Sequence, residues 1–301
     1  MHLRSFILLP VFAVALFPLT GKKEQLLQLC KKYFPENYAV VEDYDEVSIN
    51  DLASGDSLKD FIGTVPTIIH EGYHHYHGIH SSYYDSVLVY RMNDTLRFQV
   101  KNLKTFPSRE INSLVPETIK KKIFRYGTYV DVKDKYLVTQ QYGILGLLEE
   151  QAAYYQSMHT SIALFKYYKD QYGWKNPEQW TSYLGTVSSY RFALTEFELF
   201  ISWYIQFAKA KQPAVYRDIM NNTGLKKMLV FLHTENIRLA AQYDSNRKEI
   251  ISQFKGGLVI KGNYIVNTET HVGMGLHDEE VKEMNLLLSK PEHQLYKDLL
   301  R

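Results

Sequence analysis

Apolar positions recur at helical spacing over most of this chain. Near its start, a short basic stretch at His2–Arg4 leads into an apolar run, Phe6–Phe17, which is interrupted by Pro10 and closed by Pro18. The run is shorter than the roughly 20 residues of a membrane span and holds small residues at Ala13–Ala15. It predicts an export signal over residues 1–21, with the mature chain beginning between Leu16 and Lys22; an uncleaved anchor is the alternative. Lys23–Tyr33 predicts an amphipathic helix ended by Pro35, and Tyr38–Ile49 alternates loosely, as a strand does. Ser57–His77 predicts a helix that restarts at Pro66 and stops at Gly78. Two strand pairs are expected next: Ser86–Tyr90 with Thr95–Lys101, and Thr128–Val132 with Tyr136–Thr139. From Tyr142 the pattern is almost wholly helical, over Tyr142–Tyr172, Pro177–Lys211, Ala214–Asn221 and Leu225–Phe254. A hairpin over Leu258–Val266, turning at Gly262-Asn263, precedes helical Asp278–Arg301. With no Pro- or Ser-rich linker and no repeat, residues 22–301 read as one helix-dominated α+β domain with small β-hairpin insertions.

Composition narrows the class. Hydrophobic residues at 45% and charged residues at 23% exclude a disordered chain. Thirty-five Lys+Arg against thirty-three Asp+Glu leave a net charge of +2, too balanced for a dedicated nucleic-acid binder. The single Cys30 rules out an intrachain disulfide and any multi-thiolate metal site. Leu29 before it is too large for a lipidation site. Beyond the leader no segment is apolar enough to span a bilayer, so a soluble, secreted or periplasmic mature protein is expected. The unusual entries are 24 tyrosines and 11 histidines, five of the latter within His70–His80.

Within that cluster, His70-Glu71-Gly72-Tyr73-His74 is a His-Glu-x-x-His sequence on a predicted helix. At about 100° per residue, His70 and His74 lie about 40° apart on one face and one turn apart along the axis. Both imidazoles can therefore reach one cation at about 2.0–2.1 Å, as zinc requires. Glu71 projects beside the pair, where its carboxylate reaches a metal-bound water without taking a coordination position and serves as general base. The flanking Thr67, Ile68, Ile69, Gly72, Tyr73 and Tyr76 are uncharged, as a helix buried in a catalytic core requires. Here the chain resembles the zincin metallopeptidases. The other reading of the same residues is a His-rich surface helix that binds metal adventitiously.

The resemblance leaves two sources for a third ligand. In the metzincin group it is a histidine ten residues after the first, which is His80 here. That group also has glycine at the seventh position, where this chain has His77, with Gly78 one residue late; Met92 is the nearest candidate for its methionine turn. In the gluzincin group it is a glutamate from a downstream helix, which makes Glu149 and Glu150 candidates. Glu150 lies on a stripe of small residues, Gly143, Gly146, Ala153, Ser157 and Ser161, which would let the histidine helix approach closely. The stripe through Glu149 contains Leu145 and Gln156 and is bulkier. The expected set is thus His70, His74 and Glu150 around one zinc ion per chain, with Glu71 as general base. The resemblance implies a zincin-like core and a zinc peptidase acting on peptide or protein substrates. The alternatives are a metzincin-like site using His80 and a secreted metal-binding protein without turnover.

Other residues carry weaker signals. His75 is expected at the surface, and His77 beside the metal face or in an auxiliary site with His80. Tyr142, Tyr154, Tyr190 and His271 are candidates for stabilising an oxyanion. Arg191, Glu196 and Glu198 on an apolar helix are expected to pair, either structurally or as supports of the zinc histidines. The glycine-rich His271–His277 stretch reads as a loop bordering the cleft. The segment separating His74 from Glu150 reads as an insertion lining it.

Overall fold

Two of the predicted helices, Tyr142–Tyr172 and Pro177–Lys211, form the centre of the molecule, which the computed structural model describes over residues 21–301. Apart from Gly21, the predicted export signal lies outside the described residues. In chain order the helices are α1 (Lys22–Tyr33), α2 (Tyr38–Asp43), α3 (Glu46–Leu52), α4 (Leu58–Phe61), α5 (Val65–His80), α6 (Glu117–Lys120) and α7 (Tyr126–Tyr129). They continue with α8 (Val138–Tyr142), α9 (Ile144–Tyr172), α10 (Pro177–Lys211), α11 (Pro213–Asn221), α12 (Thr223–Gln253), α13 (Asp278–Ser289) and α14 (Gln294–Leu299). Two small antiparallel sheets complete the fold: β1 (Val87–Arg91) with β2 (Arg97–Lys101), and β3 (Leu258–Lys261), β4 (Tyr264–Asn267) and β5 (Gly273–Gly275) in that order. The class is helix-dominated α+β. Among the described residues no helix is long and apolar enough to cross a membrane.

Both long central helices are buried on nearly every side, which explains their weak amphipathicity. Helix α9 packs against α10 on one side and α5 on another, and α12 and the short α8 cover the rest. Contacts along α5 and α9 show that they run antiparallel: Ser157 Oγ donates to the Pro66 carbonyl at 3.1 Å, while Tyr90, just beyond α5, donates from its hydroxyl to the Leu145 carbonyl at 3.1 Å.

Three sequence expectations are corrected. Tyr38–Ile49 is not a strand but α2 and α3, because Asp45 accepts the Ser48 N–H at 2.8 Å and so starts a new helix after Tyr44. Thr128–Val132 and Tyr136–Thr139 do not form a hairpin. Tyr126, Tyr129 and Val130 are buried at helical spacing, and the Tyr129 carbonyl accepts from Ser108 Oγ, Thr139 Oγ1 and Gln140 Nε2 rather than from a partner strand. Gly78 does not stop the motif helix either. That helix runs on to His80, where the Ser81 N–H closes the last turn on the His77 carbonyl at 3.0 Å and Ser81 Oγ accepts the Val89 N–H at 2.9 Å. An exposed glycine inside a helix costs about 1 kcal/mol, which this anchoring to β1 offsets. The β1–β2 pair and the hairpin turning at Gly262-Asn263 lie where expected, with β5 added from the glycine-rich stretch.

Candidate metal centre

Helix α5 is positioned by its own composition. Pro66 sits in its first turn, where no N–H is needed, and Ile68, Ile69, Tyr73 and Tyr76 are buried. Gly72, inside the motif, is small because α2 lies against it: a Cβ there would stand 3.2 Å from Val40 and Tyr44. The opposite stripe, His70, His74 and His77, faces α9.

From α9 two adjacent carboxylates meet that stripe, about 100° apart around the helix. Glu150 faces the two motif histidines. Its Oε2 lies 3.8 Å from His70 Nε2 and 3.5 Å from His74 Nε2, and the two Nε2 atoms are 3.2 Å apart. A triangle with these sides has a circumscribed circle of about 2.0 Å radius, the Zn–N and Zn–O distance, so one point lies at bonding distance from all three atoms. Among the described residues this is the one group of three such side chains whose donor atoms lie within 4.8 Å of one another.

The outward atoms are occupied. His74 Nδ1 stands 3.0 Å from Glu149 Oε1. His70 Nδ1 lies 3.4 Å from Ser157 Oγ, and the nearby Ala153 backbone acts on the same ring. These contacts engage both Nδ1 atoms and leave both Nε2 atoms turned to the shared point. Glu150 Oε2, by contrast, is buried and has no hydrogen-bond partner. A buried carboxylate oxygen without a partner costs free energy. A cation at the shared point would remove that cost, and an N,N,O donor set suits zinc. The residues present therefore fit the metal that the motif implies.

Electrostatics sharpen the picture. Burial holds the His70 imidazole down to about 3, helped by the charge of His74, so it is neutral and ready to coordinate. Burial opposes charge on His74, but the hydrogen-bonded Glu149 carboxylate and the negative charge of Glu150 prevail and lift it to about 10. Glu149 is held well below the usual carboxylate range: burial opposes its charge, but His74 and His77 outweigh it.

Glu71 is exposed and forms no hydrogen bond or ion pair among the described residues; its charge acts on Tyr44. His80 stays away from the cluster, exposed and 3.3 Å from Asp43 Oδ2. His77 is fully buried between Tyr73 and Tyr90, with Nδ1 3.4 Å from Glu149 Oε1, so it forms no auxiliary site with His80. Met92, the residue after β1, is buried in the core. Of the oxyanion candidates, Tyr154 packs its ring 4.5 Å from that of His70, Tyr190 reaches Thr67 at 3.4 Å, and Tyr142 lies ring to tilted ring 4.1 Å from Tyr83. His271 lies in the turn before β5. Arg191 pairs with Asp244 and Asp278, and Glu198 with His233, away from the histidines.

Sequence reasoning missed three contributors. Tyr83 donates to Glu149 Oε2 at 2.8 Å. Tyr129, 3.5 Å from the Tyr154 hydroxyl, is raised by burial and by the Glu150 charge. Arg125 lies 4.6 Å over the Tyr154 ring while buried against Glu196, to which its Nη1 donates at 2.6 Å. All three come from the segment between α5 and α9, and nothing in their local sequence distinguishes them from other tyrosines and arginines. No protein-family profile, curated protein or solved structure matches the chain.

Proposed function

We propose that the protein is an exported zinc-dependent hydrolase of the zincin type, acting as a peptidase. One observation carries this reading: His70 Nε2, His74 Nε2 and the unpartnered Glu150 Oε2 converge on one point at zinc-bonding distance. The apolar leader Phe6–Phe17 supports export.

A zinc ion held there supplies Lewis acidity toward a carbonyl and acidifies water. The chain's own residues do the rest. His70 and His74 bind through Nε2, held in that orientation by the Ala153–Ser157 turn and by Glu149. Glu150 binds through Oε2. The His74 side chain, 23% exposed against 9% for His70, marks the side from which solvent and a peptide reach the cluster. Glu71 borders that helix face with a carboxylate committed to no partner, so it is free to accept a proton from water and return it to a leaving amine. Tyr154, packed on His70, is the nearest of the candidate tyrosines to the reacting centre.

The test pairs metal content with turnover. Wild-type protein should carry one zinc per chain and cleave an unfolded protein substrate. Glu71→Gln should lower that rate by about 100-fold or more with zinc content unchanged. Loss of zinc in Glu71→Gln would make Glu71 a ligand or support, and an unchanged rate would remove it from catalysis. The second reading is a secreted metal-binding protein without turnover, in which the same three side chains hold zinc. In that case wild type binds zinc and cleaves nothing.

A further inference from the structure

Glu149 is the carboxylate in this region that the proposed chemistry does not consume. It is buried, adjacent in sequence to Glu150, and yet turned to a different set of atoms. Its Oε1 lies 3.0 Å from His74 Nδ1 and 3.4 Å from His77 Nδ1, and its Oε2 accepts from the Tyr83 hydroxyl at 2.8 Å. Two hydrogen-bond partners from two segments, α5 and the loop after it, thus hold one carboxylate, with the buried His77 ring beside it. Tyr83 is itself packed, ring against tilted ring, on Tyr142, the last residue of α8.

We propose that Glu149 is the positioning residue of the metal centre: it holds the His74 ring with Nε2 turned toward His70 and Glu150, and Tyr83 fixes Glu149 in that role. This rests on the ligand set proposed above. The geometry separates the two glutamates. An acceptor on Nδ1 fixes both the tautomer and the rotation of an imidazole, so its loss weakens the metal through the histidine rather than by removing a donor. Both Glu149 oxygens already accept from protein groups. Glu150 has one that accepts from none. Tyr83 contributes from the loop between α5 and β1, which ties the stability of that loop to the order of the site.

Zinc affinity, read by competition with a chromophoric chelator, tests this in wild type, Glu149→Ala, Glu149→Gln, Glu149→Leu, Tyr83→Phe and Glu150→Ala. Glu149→Ala should weaken zinc about 10–100-fold, the range for losing a partner of a metal-bound histidine. Glu149→Gln keeps an oxygen to accept the Nδ1 proton and should recover most of that loss. Glu149→Leu, which fills similar space without an acceptor, should not recover it, whereas a role in packing alone would require that it did. Tyr83→Phe, an isosteric change at a half-buried position, should weaken zinc by less than Glu149→Ala does and serves if Glu149→Ala fails to fold. Cobalt substituted for zinc provides a second readout, since the visible bands of Glu149→Ala should shift and those of Glu149→Gln should resemble wild type. The inference is overturned if Glu149→Ala and Tyr83→Phe both bind zinc as wild type does, or if Glu149→Gln is as weak as Glu149→Ala. Those results with Glu150→Ala still strongly impaired leave the ligand set standing. Near-normal affinity in Glu150→Ala removes the ligand set itself.

Discussion

Replacing Glu150 by alanine should separate the metal centre from the fold, because the two effects have opposite sign. Without metal, two effects of Glu150 oppose each other: its Oε2 is buried without a hydrogen bond, while its charge, 3.5 Å from His74 Nε2, helps keep that imidazole protonated. An unmade buried bond of this kind costs about 1–3 kcal/mol, which its removal recovers in part against the small cavity created. Zinc-free Glu150→Ala should therefore unfold at or near the wild-type temperature. With metal the order reverses. Zinc at about 1,000 times its dissociation constant stabilises the wild-type fold by about 4 kcal/mol, roughly 8 °C in a chain of this size. Removing a donor leaves two histidines, and an affinity loss of more than about 100-fold leaves less than about 1.4 kcal/mol at the same zinc concentration, roughly 3 °C.

His80→Ala is the matched control. His80 is exposed and contacts Asp43, so its removal should cost under about 1 kcal/mol and change zinc affinity by no more than about twofold. Thermal unfolding of both variants with and without zinc, alongside chelator competition, gives the four numbers needed. If His80→Ala strips the metal while Glu150→Ala keeps near-normal affinity, the third ligand is His80 and the assignment fails. A zinc-free Glu150→Ala several kcal/mol below wild type would also refute the reasoning, since it would make Glu150 a structural residue.

Elsewhere, Glu196→Ala should lower stability by about 3–5 kcal/mol in urea unfolding, because it strands the buried Arg125 side chain and the Arg125 N–H together. Replacing both residues by apolar ones should recover most of that loss, and a Glu196→Ala cost under about 1 kcal/mol would contradict the account. His233 is raised above its ordinary value by its hydrogen bond to Glu198, against a smaller opposing effect of burial. A raised folded value means the contribution is complete below the unfolded value of about 6.5 and fades as pH rises through the folded one. His233→Ala should therefore cost more stability at about pH 5.5 than at about pH 9, by under about 1 kcal/mol since a third of the ring meets solvent. Equal costs at the two pH values would show that the pair is not the cause.

The long helices were legible in the sequence because their ends carry unambiguous signals. Pro177 and Lys211 bound α10 as expected, and Gly143, with φ at 55°, breaks the chain between α8 and α9 where a Cβ would strike the Phe106 carbonyl and the Tyr204 hydroxyl. Short elements were not legible. Residues 38–49 and 126–142 contain β-branched and aromatic residues at spacings that suit either state, and tertiary packing chose helix. In one case it did so through α5 lying on Val40 and Tyr44, in the other through three polar side chains converging on the Tyr129 carbonyl.

The two glutamates show where local pattern stops being informative. The small-residue stripe divides in the structure: Ala153 and Ser157 do face α5, but Gly146 is small because the start of α8 crosses it, and Gly143 because of Phe106 and Tyr204. Spacing alone therefore could not say which neighbour each small residue admits. Nor could it say that Glu149 and Glu150 both reach the histidines, since two residues about 100° apart on one helix are ordinarily on different faces. They both reach because His74 lies between them, offering Nδ1 to one and Nε2 to the other. What distinguishes the carboxylates is unmet bonding capacity. Glu149 has its two oxygens taken by His74 and Tyr83, whereas Glu150 keeps one buried oxygen that no protein group satisfies. That difference is a property of the assembled site, and it is the physical reason to place the metal on one glutamate and the support on the other.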